Sequence, residues 1–515
     1  MAATWMADAV FYEIYPQSFR DTNGDGIGDL DGITEKLDYI CSLGCNALWI
    51  NPCFDSPFKD AGYDVRDYKK VAPRYGTNND LYRLFGEAHK RDMHVLLDLV
   101  PGHTSEEHPW FRESQRAERG PYSDRYIWTG FCFDAAMGLN YVAGESERSG
   151  VYVLNFFKCQ PALNYGFLNP VKDWQLPMDH PAALATREAM KDVMRFWLDR
   201  GCDGFRVDMA ASLVKFDDPE HSGTSAIWRD VRAMLDKEYP QAALVAEWSD
   251  PRQAVGCGFD SAFLLNDPWT GYPSLMRDYD RAHPERPDNS YFRRDADGDI
   301  RRFLEPYLDQ YEATKHSGYI SLITCNHDTV RPSWNLDTRE LKLAYAFLFT
   351  MPGVPFLYYG DEIGMRYQPL PSKEGGYFRT GSRTPMQWDG GPNLGFSTAM
   401  ADSLYLPVDP APDAPTVQAQ EADPDALIHT VRALLALRRE RAGLRENANL
   451  EIVHAQKGDA LVYRRGGLLL ALNPSGRPAS APVDASGLRT VFSIGGGNAG
   501  QGALTLEPQS FLVME

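Results

Sequence analysis

The sequence predicts an α/β protein built on a (β/α)8 barrel, interrupted by one inserted subdomain and followed by a small all-β domain. Three observations carry this expectation. Eight short apolar runs, near Val10, Leu48, Leu97, Phe205, Val245, Ala262, Leu322 and Leu357, mostly alternate with helical stretches. Acidic residues stand at the ends of four of them, Asp98, Asp208, Glu247 and Asp328, and in such barrels the C-terminal strand ends carry the chemistry. The alternation breaks once, over 103–179, where Trp, Tyr, Asn, Gly and Pro accumulate. A structureless loop of that size is improbable in a compact domain.

Ala9–Pro16 is β-branched and aromatic and reads as the first strand. The loop after it places oxygen-bearing side chains at alternate positions, Asp21, Asn23, Asp25 and Asp29, with glycines between. Such a loop can wrap a hard cation, with a backbone carbonyl near Ile27 as a further ligand. It is not a full EF-hand, because its twelfth position is Gly32 and not Glu. Ca2+ is favoured over Mg2+, since the ligands are many and all protein oxygens; a solvated acidic turn is the plainer alternative. Helices follow at 33–43 and 81–92, with the second strand at 47–51 and the third at 94–100.

Beyond the insertion, 185–200 is a helix with apolar Met190, Val193, Met194, Trp197 and Leu198 at helical spacing. Strands at 243–248, 259–265, 319–324 and 354–359 are accompanied by helices at 227–238 and 341–350. A loop-rich stretch, 361–424, contains the basic segment Arg379–Arg383, and a helix follows at 426–438. From Leu450 short alternating runs are separated by Gly and Pro turns, the pattern of an all-β domain. The expected boundaries are 1–102 and 180–440 for the barrel, 103–179 for the insertion and 441–515 for the last domain.

Composition narrows the functional classes. At 43% hydrophobic and 24% charged the chain is that of a soluble globular protein. A net charge of −19 argues against a nucleic-acid partner, whose phosphates attract basic surfaces. No apolar run is long enough to span a membrane, and Met1–Ala9 lacks the pattern of a secretory leader. The expected location is therefore cytoplasmic. The eight cysteines form no CxxC pair, and reduced thiols are expected. Nothing in the sequence indicates an oligomeric state.

The segment 201–208, GCDGFRVD, holds the centre of the chain. Arg206 and Asp208 are two residues apart, so on a strand their side chains point to one side. The cation favours an ionised carboxylate, which suits a covalent nucleophile; a structural ion pair is the plainer alternative. Asp208, Glu247 and Asp328 together at one barrel mouth match the paired acids of glycoside hydrolysis. Glu247, beside Trp248, is the acid whose apolar setting would keep a proton. Three acids also suit a divalent ion, but Arg206 and His327 beside them would compete with it.

The runs FYEIYPQSFRDTNGDGIGDLDGI, AGYDVRDY, DLVPGHTS, GCDGFRVD, VAEW, TCNHD, PGVPFLYYGDEIGM and RTPMQWD resemble the α-amylase superfamily, glycoside hydrolase family 13. Within it the chain is similar to the oligo-1,6-glucosidase, α-glucosidase and trehalose synthase branch. The resemblance implies a TIM barrel, an inserted B domain and a C-terminal antiparallel β-sandwich. It implies a retaining, exo-acting α-glucosidase on short oligosaccharides, or a transglucosylase or isomerase using the same double displacement. It makes Asp208 the nucleophile, Glu247 the acid/base and Asp328 the acid that grips sugar hydroxyls. His103 and His327 would hydrogen-bond the sugar, and Tyr63 would stack on it. Arg206 would orient Asp208, supported by Asp98. Asp64, with either Arg379 or Arg383, would close the site behind the non-reducing end. The acidic loop matches the metal loop of this branch, with a structural role. A non-enzymatic relative is disfavoured by the three intact acids.

Three positions depart from the family pattern. Gly102 stands where Asn usually precedes His103. Gln160-Pro161-Ala162-Leu163-Asn164 lacks the Asp of the usual QPDLN motif. Met209, after the nucleophile, is neither the Val nor the Thr associated with linkage preference.

Overall fold

The computed structural model describes residues 3–265, 267–283, 285–375 and 378–515. Met1 and Ala2 of the N-terminal stretch, and two positions of the 361–424 loop, lie outside the described residues. Eight parallel strands close into a barrel: β1 (Phe11–Ile14), β2 (Ala47–Ile50), β3 (His94–Leu99), β4 (Gly204–Val207), β5 (Ala243–Ala246), β6 (Ser261–Phe263), β7 (Tyr319–Ile323) and β8 (Val354–Tyr358). Each strand pairs with its predecessor in sequence, and β8 pairs with β1. Every strand is buried almost end to end, which is why each reads as a near-continuous apolar run.

Aromatic rings fill the barrel interior. Phe11 stacks on Phe356 at 4.3 Å, Phe263 meets Phe356 edge-on at 4.9 Å, and Trp49 lies 5.4 Å from Phe263. Polar residues sit above this floor at fixed register: Asp98 lies opposite Arg206, and Glu13 opposite Trp49. β4 begins at Gly204, whose φ of 145° and approach to Ala243 leave no room for a side chain; a Cβ there would lie 2.1 Å from the Ala243 carbonyl oxygen. Glycine at this position lets β4 pair closely with β5 and sets the register of Arg206.

Helix bounds differ modestly from expectation. The stretch 33–43 is two helices, Leu30–Glu35 and Leu37–Leu43, separated at Lys36. A helix not anticipated, Arg301–Thr314, contains Pro306 yet buries Phe303, Leu304, Tyr307 and Tyr311. Between β3 and the helix Pro181–Leu198, the chain forms a short helix (Pro109–Ser114), two small paired strands and a separate apolar cluster of Ile127, Ala136, Val151, Val153, Ala162 and Phe167. Past residue 449 a five-stranded antiparallel sheet faces a three-stranded one across a second apolar cluster. Among the described residues, no helix is long and apolar enough to cross a membrane. All eight cysteines are free.

Candidate active site

Asp208, Glu247 and Asp328 line one cavity of about 150 Å3 at the C-terminal mouth of the barrel, together with Asp60, Tyr63, His103, Phe156, Met209 and Arg379. Arg206 organises it. Its Nη1 lies 2.8 Å from Asp98 Oδ1 and 3.1 Å from Asp208 Oδ1, and its Nη2 lies 2.9 Å from Glu247 Oε1. One buried guanidinium therefore joins the two acids flanking the cavity and is itself held from below by Asp98. Asp98 also accepts from Trp49 Nε1 and from the Tyr63 hydroxyl, both at 3.0 Å.

Burial and the adjacent Glu247 charge push the Asp208 carboxyl well above the usual aspartate range, with Arg206 opposing them. Burial and the Glu247 charge together exceed the effect of the cation that the sequence places two residues away. Glu247 also departs from expectation. It is not wrapped in apolar surface; it accepts from Arg206 and, at 2.8 Å, from the Met209 backbone N–H. Met209 adopts a left-handed backbone, φ 43°, which turns that N–H toward the carboxylate. Asp208 thus keeps its proton to higher pH than an isolated aspartate does.

Asp328 differs. Burial raises its carboxyl, but the guanidiniums of Arg383 and Arg379 oppose this, and the group lies well below the usual range. Arg383 Nη2 lies 2.6 Å from Asp328 Oδ1, and Arg379 Nη1 lies 3.3 Å from the same atom. Arg383 is fully buried and also reaches the His327 carbonyl and Glu374, so it braces Asp328 from behind. Arg379 lines the cavity itself.

The structure corrects the expectation for Asp64. Its carboxylate is buried and accepts from Ser56 Oγ at 3.0 Å, Lys59 N at 3.0 Å and Asp60 N at 2.9 Å, so it shapes its own loop. Asp60 is the acid that pairs with Arg379 at the cavity, and Gln160 Nε2 holds its other oxygen at 2.7 Å. Four residues along an irregular loop, the side chains point in different directions, and no period fixes which one faces the site.

Tyr63 stacks on His327 with ring centres 5.3 Å apart, and its hydroxyl lies 2.6 Å from His327 Nε2. His327 Nδ1 lies 2.8 Å from Glu13 Oε1 and 3.1 Å from Asn51 Nδ2. His103 uses both ring nitrogens on protein groups: Nε2 on the Tyr63 carbonyl at 3.1 Å and Nδ1 on Asn155 at 3.0 Å. Burial lowers the pKa of both rings, that of His103 to about 3, so both are neutral at pH 7. Sequence reasoning missed Glu13, Asn51, Asp60, Asn155 and Phe156. Of these only Glu13 carried a signal, as the lone charge in an otherwise apolar strand.

The loop after β1 curls through side-chain caps on its own backbone. Asp21 accepts from the N–H groups of Asn23, Gly24 and Gly26 and from Ser397 Oγ; Asn23 accepts from Asp25 N, and Asp25 from Ile27 N. Asp29 caps the helix Leu30–Glu35 through Gly32 N and accepts from Thr22. Among the described residues, no three His, Cys, Asp or Glu side chains converge as a metal cluster. A cation here would depend on the Asn23 amide oxygen and the Ile27 carbonyl as well as on the carboxylates. That mixed, all-oxygen donor set suits Ca2+.

A closed parallel barrel with paired acids joined by arginine at its C-terminal mouth defines a TIM-barrel enzyme of the glycosidase type. Residues 13–447 match the alpha amylase catalytic domain, and the chain belongs to that family. It is 34% identical over 495 residues to the trehalose synthase/amylase TreS of Mycobacterium tuberculosis, covering 87% of this chain and 77% of that one. It is 32% identical over 496 residues to the oligo-1,6-glucosidase of Heyndrickxia coagulans, covering 84% and 85%. The trehalulose synthase MutB from Pseudomonas mesoacidophila superposes along all of both chains with a TM-score of 0.81 at 26% identity. The chain is an enzyme acting on glucosidic bonds.

Proposed function

We propose that the protein is a retaining, exo-acting α-glucosidase that cleaves short oligosaccharides or α-glucosides. The observation that carries this is the placement of Asp208 and Glu247 on one guanidinium, in a cavity of the order of a single hexose, bordered by the Asp60–Arg379 pair. The Asp208 carboxylate attacks the anomeric carbon while Glu247 gives its proton to the glycosidic oxygen, and the leaving sugar departs. A glucosyl ester remains on Asp208. Glu247, now a base, takes a proton from water, which attacks the anomeric carbon, breaks its bond to the Asp208 carboxylate and releases product with the original configuration. Asp328, held ionised by two arginines, grips the sugar hydroxyls.

A second cavity, about 480 Å3, shares Glu247 and Asp328 with the first and adds Tyr279, Arg281, Asn326 and Phe378. This favours a second reading, in which a sugar retained there accepts the glucosyl group, as in a transglucosylase or isomerase. A proton NMR time course with maltose, isomaltose and sucrose separates the readings. Early α-glucose supports hydrolysis. New anomeric signals with little free glucose support transfer. Silence on all α-glucosides overturns both.

We also propose that Asp21, Asn23, Asp25, the Ile27 carbonyl and Asp29 hold a structural Ca2+, with Mg2+ as the other candidate. The ion would fix the loop between β1 and the helix Leu30–Glu35 and take no part in the chemical steps.

A further inference from the structure

Gly102, Asn155 and Lys215 come together at the edge of the sugar pocket although they belong to three separate segments. A Cβ on Gly102 would lie 2.7 Å from Asn155 Nδ2, so this side chain occupies the space that Gly102 leaves. Asn155 Nδ2 donates to His103 Nδ1 at 3.0 Å. Asn155 Oδ1 accepts from Lys215 Nζ and from Ser212 Oγ. Donor and acceptor rules fix this chain throughout. Lysine only donates, so the amide oxygen faces Lys215 and the amide N–H faces His103. His103 Nδ1 is then an acceptor, and Nε2 carries the hydrogen that meets the Tyr63 carbonyl, which only accepts.

We infer that Asn155, oriented by Lys215 and admitted by Gly102, is a positioning residue that fixes His103 as the neutral Nε2–H tautomer beside the sugar. The departure at Gly102 is thereby explained: the absent side chain leaves the space through which Asn155, from the insertion, reaches His103. The benefit is electrostatic. Positive charge develops on the sugar in the transition state, and a cationic ring at 103 would oppose it. The low pKa of His103, set by burial and reinforced by the Lys215 charge, agrees with this geometry.

The inference rests on the glucosidase-type reading for its catalytic consequence, so the test has two readouts. The first is exchange of the His103 C2 hydrogen against pH, followed by mass spectrometry, which needs no turnover. The second is kcat/KM on an α-glucoside. Asn155→Ala, and the isosteric Asn155→Asp in case the first fails to fold, are expected to move the exchange midpoint to higher pH and lower kcat/KM by about tenfold. Gly102→Asn alone is expected to lower kcat/KM through collision with Asn155. Gly102→Asn with Asn155→Gly is expected to recover both readouts, a non-additivity that unconnected structural roles would not produce. An unmoved midpoint in both Asn155 variants, or a double variant no better than the poorer single one, overturns the inference. If the wild type turns over no α-glucoside, the proposed function fails while the exchange readout still decides the network.

Discussion

Arg206 and Glu247 form a 2.9 Å ion pair inside the barrel mouth, and the same guanidinium holds Asp208 at 3.1 Å. The two acids thus share one planar cation. Lysine offers a point charge without that fork. Arg206→Lys is expected to lower kcat by about 100-fold, with a smaller effect on KM, because the acids lose their shared orientation. Steady-state kinetics with an unchanged circular dichroism spectrum checks this; a loss under threefold would refute it.

Asp208→Asn removes the carboxylate proposed as nucleophile while keeping shape. Turnover is expected to fall by several orders of magnitude with the fold intact. Substantial residual activity in a preparation free of wild-type enzyme would sink the assignment.

Asp60 and Asp64 are expected to behave oppositely. Asp60→Asn weakens the pair with Arg379 at the cavity and should lower kcat/KM on short substrates with little change in melting temperature. Asp64→Ala removes the acceptor of three hydrogen bonds, two of them buried, and should cost about 1–3 kcal/mol of stability. Melting curves beside kinetics for both variants distinguish them, and the reverse pattern would restore Asp64 to the site.

The raised pKa of Asp208 predicts an acidic limb in kcat/KM above the usual carboxylate range. A group whose pKa is raised becomes protonated earlier as pH falls, and a protonated Asp208 cannot attack. Glu247→Gln removes the neighbouring negative charge, so this limb should move to lower pH. The comparison uses an aryl α-glucoside whose leaving group needs no proton. A limb that stays or moves up would contradict the influence of Glu247 on Asp208.

If the loop at Asp21–Asp29 holds a structural cation, chelation lowers the melting temperature while the initial rate at low temperature stays nearly constant. Calorimetry and rate assays on chelator-treated enzyme, with Ca2+ added back, check this. Immediate loss of rate at unchanged fold would assign the ion a different role.

Much of the barrel was legible because buried parallel strands are short apolar runs, and their polar ends stand out. The helix Arg301–Thr314 was hidden by Pro306, whose penalty is offset by burial of four large side chains. The convergence of Asp208, Glu247 and Asp328 followed from strand topology. The identity of the acid facing Arg379 did not, because loop side chains obey no period. Gly102 and Ala162 were visible only as oddities. In the structure Gly102 makes room for Asn155, and Ala162 packs into the apolar cluster of the insertion.

The contact between Glu13 and His327 spans 314 positions of sequence. Glu13 leaves the ribosome early, and His327 follows only after more than half of the chain has been made. The part of the cavity floor built on this contact therefore cannot assemble on a nascent chain until the seventh strand has emerged and the barrel can close. Contacts this distant in sequence form slowly, so enzymatic competence should be among the last properties gained during synthesis or refolding. Regain of activity is then a stricter reporter of completed folding than regain of helix content.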